Sequence, residues 1–189
     1  MRLTRSALLP AIAGLAGLAG CLRFGQVNEG RVIAYDKERG LVTLISDSNF
    51  QDPTRPRYDV LPPVTVKIPE NPREMGPAPA AGKLMSLDAA SRRITFYDSA
   101  SQTFRTVDYQ PGGEPAGGPY PAVDRQRKTV TLMVSSETRP LTISLPDELL
   151  SLPEDTWSMG DVVRYYYKDP GQALRMMNVT RTDLTKKGK

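Results

Sequence analysis

The chain carries few of the side chains that catalysis and metal binding normally use. Its 189 residues include one cysteine, Cys21, and no histidine. Without histidine the commonest general base and metal ligand are missing, which excludes Ser-His-Asp and Cys-His catalysis and ordinary zinc sites. A single thiol also cannot form a disulfide within the chain. The chemistry that remains is modification of Cys21, carboxylate chemistry and binding.

Cys21 ends a segment that has the order of a secretory signal peptide. Arg2 and Arg5 give it a basic start, residues 7–17 are apolar and rich in Ala, Leu and Gly, and small residues stand directly before the cysteine. This order is typical of signal peptides. The stretch Leu18-Ala19-Gly20-Cys21 resembles the lipobox of bacterial lipoproteins. The resemblance implies cleavage before Cys21 and attachment of lipid to its sulfur.

Lipid rather than a membrane-spanning helix is the expected anchor. The apolar run is shorter than the about 20 residues that cross a bilayer, whereas two or three acyl chains hold a protein stably. The lipoprotein resemblance implies diacylglycerol on Cys21 and a further acyl chain, such as palmitate, on the new α-amino group. Leu22 follows the cysteine, where the usual sorting rule places aspartate for inner-membrane retention. The expected location is therefore the cell envelope, facing the periplasm, with the outer membrane favoured over the inner.

Beyond residue 28 the sequence has the pattern of an all-β protein. Runs of β-branched and aromatic residues flank short turns at 36–40, 88–92 and 168–172. Such pairs of runs read as hairpins, in which aspartate caps the turn and glycine accepts a positive φ. The one expected helical turn lies at 147–152, between two prolines.

Two stretches of the chain look like copies of one unit. Residues 32–44 align without gaps on residues 120–132, and each stretch holds a turn aspartate followed by a strand with threonine at its centre. Residues 111–118, rich in Pro and Gly, break the pattern between them. We therefore expect a duplication. The matched pairs are Asp36 with Asp124 and Thr43 with Thr131.

These features predict two tandem, small, five-stranded β-barrel units behind the signal peptide. The second resembles OB-type barrels, because Trp157 is followed by a Gly-Asp-x-Val step at 160–163, and closing such a barrel removes free sheet edges. Trp157 is expected in or beside its core. The predicted segments are a signal peptide at 1–20, a lipidated tether at 21–28, a first β-barrel-like unit at 29–110, a linker at 111–118, an OB-like unit at 119–181 and a basic tail at 182–189.

Three segments extend the resemblance over the whole mature chain. Residues 28–36, 58–66 and 161–167 are similar to an uncharacterised lipoprotein family of sulfate-reducing bacteria. This resemblance implies a lipoprotein and assigns no activity, ligand or catalytic residue.

The candidate ligand-facing residues are Tyr165, Tyr167, Arg164 and Arg175, which lie in or beside a run of three tyrosines at 165–167. In a strand, Tyr165 and Tyr167 share one face and Tyr166 takes the other. With Arg164 and Arg175 nearby, Tyr165 and Tyr167 could stack a sugar or a base. The alternative, which we favour, is that one face belongs to the core and the other to a surface strand, where tyrosine is common.

Two sets of residues are weighed as metal sites, and neither is favoured. Carboxylates near one another in sequence could offer oxygen ligands to Ca²⁺, but their spacing matches no calcium loop and fits a hydrogen-bonded turn. Thioethers with tryptophan could bind Cu(I), but methionine more often fills cores. No cofactor is therefore predicted. The first set is Asp47, Asp52 and Asp59, and the second is Met133, Trp157, Met159, Met176 and Met177.

The function expected from these observations is non-enzymatic. The chain is predicted to be a lipid-anchored envelope protein that acts as a binding or assembly module. Its expected partners are membrane lipid, through acylated Cys21, and another envelope protein, with no nucleic acid. Two alternatives stay open: a carboxylate-dependent envelope hydrolase, which needs two converging acids, and a Met-based metal-binding periplasmic domain.

Overall fold

The computed structural model describes residues 24–115, 117–133 and 139–182. Over these residues the chain is built of β-strands with one short α-helix and two 3-10 helices, which confirms the all-β class. No helix in this part of the chain is long and apolar enough to cross a bilayer. The elements are β1 (Gln26–Asp36), β2 (Leu41–Asp47), β3 (Tyr58–Lys67), β4 (Leu84–Asp88), β5 (Arg93–Asp98), β6 (Thr103–Asp108), β7 (Gln110–Pro111), β8 (Ala122–Asp124), β9 (Thr129–Met133), β10 (Pro140–Ser144), α1 (Asp147–Leu150), β11 (Val162–Tyr167) and β12 (Arg175–Asn178), with 3-10 helices at Pro72–Glu74 and Glu154–Trp157.

A five-stranded antiparallel sheet joins the two ends of the described chain. Its order is β12-β11-β1-β2-β3. The sheet curls, because the end of β3 meets the residues before β12: the Lys67 amide donates to the Gly171 carbonyl (2.8 Å) and the Ala173 amide donates to the Lys67 carbonyl (2.9 Å). The concave face encloses a core of aliphatic residues with one tyrosine. Its buried members are Val32, Val42, Leu44, Val66, Val163, Tyr165, Ala173 and Met176.

Two smaller sheets enclose a second core. One has the order β7-β10-β9-β8 and the other β4-β5-β6. Phe96 of β5 and Leu132 of β9 meet in this core, and α1 adds Leu149 and Leu150. Trp157 packs edge-on against Phe96, with ring centroids 5.6 Å apart. Trp157 is fully buried, as the sequence analysis expected.

The same turn opens three of the hairpins. In each, an aspartate carboxylate accepts a hydrogen bond from a backbone amide three residues later, and the residue after that has a positive φ. Seven residues after the aspartate, a threonine hydroxyl bonds a threonine on the next strand. The three sets are Asp36, Gly40, Thr43 and Thr65; Asp88, Arg92, Thr95 and Thr106; and Asp124, Lys128, Thr131 and Thr142. The first and third sets lie in the two stretches that align in the sequence, and the second is a further instance of the same pattern.

The strand pairing differs from the two tandem units expected from the sequence. The last hairpin of the expected second unit, β11 and β12, extends the sheet of β1, β2 and β3. In exchange, β4 and β5 from the expected first unit help to enclose the core of the second. The linker at 111–118 therefore does not divide the strands into two consecutive groups. Alternation in a strand sets which face is buried, but it does not select the neighbouring strand.

The exchange of hairpins is fixed where residues 80–82 cross residues 160–161. The Val32 amide donates to the Asp161 carbonyl (2.9 Å), and the Gly82 amide donates to the Val32 carbonyl (3.1 Å). A Cβ atom on Gly160 would overlap the Val32 carbonyl oxygen, so this close approach needs glycine. The buried carboxylate of Asp161 also accepts from the Ala80 amide at 2.8 Å.

Candidate functional site: a cleft on β1, β11 and β12

Alternation along β11 sends its tyrosines to opposite faces. Val163 and Tyr165 lie in the core of the five-stranded sheet, so Arg164 and Tyr166 lie on the convex face. The rings of Tyr165 and Tyr167 are 5.4 Å apart, which places them on one face as expected. That face is the inner one. Tyr165 is buried and its hydroxyl accepts from Asn28 (3.3 Å), while burial raises the pKa of its phenol.

The convex face holds an open cleft of about 800 Å³, which we call the Tyr166 cleft. Four apolar or aromatic side chains from three neighbouring strands and the preceding turn contribute to its lining: Val27, Tyr166, Leu174 and Met177. The pairing register explains this, because Val27 and Arg175 lie on either side of Tyr166. Val27 and Leu174 are among the exposed large apolar residues of the chain. This cluster of exposed apolar residues makes the cleft the candidate binding surface.

Two ion pairs flank the apolar lining. Arg164 Nη2 lies 2.7 Å from Glu29 Oε2, and its Nε donates to the same oxygen (2.8 Å). Arg175 donates to Glu74, and this hydrogen bond holds the pKa of Glu74 below its usual value and raises that of Arg175. Both arginines expected to face a ligand are therefore at the cleft, and each has a carboxylate partner. The 3-10 helix that carries Glu74 begins with a cap, in which Asn71 accepts from the Arg73 amide (3.1 Å).

Paired arginines limit what the cleft can do. A nucleic-acid backbone is bound by Lys and Arg side chains that neutralise its phosphates, and here each guanidinium already has a carboxylate partner. A glycosidase acid needs a raised pKa, whereas that of Glu74 is lowered. The lining instead suits an apolar or aromatic group, with the ion pairs at its border.

The backbone of Gly25 lies directly against the ring of Tyr166. A Cβ atom at Gly25 would overlap the ring and hydroxyl of Tyr166, so the backbone just before β1 lies directly on the tyrosine. This contact joins the start of the described chain to the cleft.

Comparison with known proteins adds a family and no activity. Residues 23–187 match a family described as "Domain of unknown function (DUF4881)". The chain belongs to this family. No curated protein and no solved structure matches it.

The carboxylates weighed as a calcium site organise a loop of the DUF4881 chain. Asp47 Oδ1 accepts from the Asn49 and Arg57 amides at 2.8 and 2.7 Å, and Asp52 accepts from Thr54. Asp59 forms an ion pair with Arg57 (3.3 Å). Among the described residues, no group of three or more acidic or cysteine side chains is arranged to hold a metal ion.

The residues weighed as a copper site are dispersed. Trp157 and Met159 belong to the core between the two smaller sheets, and Met176 belongs to the core of the five-stranded sheet. Met133 is exposed, and Met177 lines the Tyr166 cleft. The structure therefore does not bring these five side chains to one place.

Five residues of the cleft, Tyr166 among them, were not singled out from the sequence as ligand-facing. Val27, Leu174 and Met177 carry no chemical signature, and Glu74 is far from Arg175 in sequence. The alternation of residues 165–167 was the available signal, since it separates Tyr166 from its neighbours. Cys21 and residues 183–189 of the basic tail lie outside the described residues.

Proposed function

We propose that this protein is a lipid-anchored, non-enzymatic envelope protein that binds a partner through the Tyr166 cleft. Its anchor is the acylated Cys21, and its location is the periplasmic side of the membrane, the outer membrane rather than the inner. The lipobox-like stretch that ends at Cys21 and the Leu22 that follows it support this location. The protein acts as a binding or assembly module and needs no cofactor.

The observation that carries the binding role is the position of the cleft beside the start of the chain fold. Gly25 lies against Tyr166, and Cys21 is four residues before Gly25 in the sequence. At roughly 3.3–3.6 Å per residue, Cys21 and Gly25 are at most about 14 Å apart. A cleft so close to the anchor faces the membrane surface or a protein at that surface. The proposed occupant of the cleft is an apolar segment of another envelope protein at the same membrane.

Binding is favoured over the two alternatives by the contacts of the cleft. A carboxylate-dependent hydrolase needs an acid that stays protonated, and both carboxylates at the cleft are ion-paired with arginine. A Met-based metal site needs converging thioethers, and Met177 is the one methionine that contributes to the described lining.

The anchor is tested by replacing the lipidated residue. Cys21→Ser is expected to abolish incorporation of labelled palmitate and to release the protein into the soluble fraction. The unchanged protein, treated in parallel, should stay with the membranes. If Cys21→Ser remains in the membrane fraction after a carbonate wash, the lipid anchor is refuted.

The cleft is tested by photo-crosslinking in intact cells. A photoreactive amino acid at Leu174 is expected to yield a crosslinked envelope protein. Met133 provides a matched control, because the two side chains are similarly exposed, 44% and 48%, and Met133 lies on β9 away from the cleft. Leu174→Asp should abolish co-purification of the crosslinked protein, and Met133→Asp should retain it. Equal crosslinking from the two positions would show that the cleft is not the interface.

A further inference from the structure

Arg31 lies in a second cleft, formed between β1, the start of β3 and the sheet of β4, β5 and β6. This Arg31 cleft has a volume of about 350 Å³. Aromatic side chains of Tyr58 and Phe104 contribute to its walls, and Met85 and the exposed Ser86 stand beside them. Its size is within the range of pockets that hold small molecules. Arg31 is the cation that lines it.

The guanidinium of Arg31 is only partly satisfied by the protein. Its Nη1 reaches the carbonyls of Leu84 and Met85 at 3.3 and 3.4 Å, which are long hydrogen bonds. Its carbon lies 4.6 Å from the centre of the Tyr58 ring. Its Nε is buried and has no acceptor among the described residues. Burial lowers the pKa of Arg31, and the charge and hydrogen-bond interaction with the Tyr58 side chain opposes this shift without supplying a carboxylate.

Other partly buried cations of the protein have carboxylate partners, and Arg31 differs from them. Of the acidic side chains that the structure describes, none forms an ion pair with Arg31. Asp59 lines the same cleft, but its carboxylate pairs with Arg57 (3.3 Å). A desolvated charge without a counter-charge is costly. The paired cations are Lys83 with Asp155, Arg105 with Asp98 and Arg164 with Glu29.

We propose that the Arg31 cleft binds a small organic carboxylate. The carboxylate lies against the Arg31 guanidinium and supplies the negative charge that the protein does not. Guanidinium matches planar carboxylates well, because its N–H donors lie in one plane. The body of the ligand packs between Tyr58 and Phe104, and the Ser86 hydroxyl offers a further hydrogen bond. This site is separate from the Tyr166 cleft and does not depend on the lipid anchor.

Benzoate is a suitable probe, because it joins a carboxylate to an aromatic ring. Its neutral analogue benzamide has nearly the same shape, so it separates the charge from the apolar contact. We expect benzoate to raise the melting temperature of the purified protein in a saturable way and benzamide to leave it unchanged. Inorganic phosphate, as a third probe, tests whether any oxyanion suffices.

Two variants and one control locate the binding. Arg31→Gln is expected to weaken benzoate binding by about tenfold or more, because a charge-assisted hydrogen bond is lost. Ser86→Phe fills the cleft from an exposed position and should also abolish binding, so it decides the matter if Arg31→Gln does not fold. Arg105→Gln should bind like the unchanged protein, because Arg105 pairs with Asp98 and does not line the cleft.

The proposal is overturned by any of three results. One is an absent or unsaturable effect of benzoate. Another is equal binding by the unchanged protein and Ser86→Phe. The third is tighter saturable binding of phosphate than of benzoate, which would assign the cleft to tetrahedral oxyanions instead of carboxylates.

Discussion

Trp157 shows how a single residue connects the two halves of the chain. It follows α1 in the second half, and its ring packs against Phe96 of β5 in the first. Its side chain is fully buried, while its indole nitrogen has no acceptor among the described residues. Its contribution to stability therefore comes from apolar packing and not from a hydrogen bond.

Trp157→Ala should lower the free energy of unfolding more than Trp157→Phe does. Trp157→Ala is expected to lower the free energy of unfolding by about 3–5 kcal/mol, the usual cost of removing a large buried aromatic. Trp157→Phe should cost less, because it keeps the aromatic contact and removes an unpaired N–H. Urea unfolding measures both changes. A water-like, long-wavelength tryptophan emission from the native protein would contradict the burial on which this rests.

The tyrosines at the cleft show what residue patterns can and cannot predict. Period-two alternation correctly separated Tyr166 from Tyr165 and Tyr167. It could not tell which face is inside, because aromatic residues occur on both. The ion pairs of Arg164 and Arg175 depend on strands and turns that are distant in sequence, so no local pattern predicted that these cations have partners.

At the scale of elements, the repeated aspartate turn is the clearest local rule in this fold. Each turn places a residue at positive φ directly before the second strand: Gly40 at 63°, Arg92 at 54° and Lys128 at 56°. Glycine adopts this conformation without strain, whereas other residues adopt it at a cost. In two of the three hairpins this position, which favours glycine, is occupied by Arg92 or Lys128.

Arg92→Gly is expected to stabilise the protein. Relief of the left-handed strain should exceed the entropy lost by the more flexible glycine, giving a gain of up to about 1 kcal/mol in the free energy of unfolding. The neighbouring Arg93→Gly should instead destabilise by about 0.5–1 kcal/mol, because Arg93 lies within β5. Parallel denaturation curves compare the two. A loss of stability in Arg92→Gly would show that the arginine side chain contributes more than its strain costs.

Hairpins were the part of the fold that the sequence predicted well, because turn chemistry acts over a few residues. The equivalence of the Asp36 and Asp124 turns appears directly in their hydrogen bonds. The set in β4, β5 and β6 was not aligned with them, although Thr95 and Thr106 are 11 residues apart, as are Thr131 and Thr142. Sheet order was not predictable in this way, since it depends on contacts between strands far apart in the chain.

At the scale of the whole molecule, the crossing at Gly160 should be sensitive to a single methyl group. Gly160→Ala is expected to destabilise by about 1–3 kcal/mol or more, because the new Cβ overlaps a backbone oxygen of Val32 that cannot move alone. Gly25→Ala is the matched control, because the atoms nearest to its Cβ belong to the end of the Tyr166 side chain, which can rotate, and not to the backbone. Similar stability of the two variants would show that the backbone at Gly160 and Val32 can move apart at little cost, which contradicts this prediction.

In a newly made molecule, one edge of β1 stays unpaired until β11, far later in the sequence, is available. One edge of β1 gains β2 almost at once, but the other stays open until Tyr167, 141 residues after Gln26, has arrived. Pairings over such separations form slowly, and an open strand edge invites association with the wrong chain. If the chain is exported from its N-terminus, as the proposed function requires, β1 would emerge long before β11 and would have only β2 beside it until β11 follows. The risk of pairing with the wrong chain then depends on how quickly β11 follows β1, and not on the stability of the folded sheet.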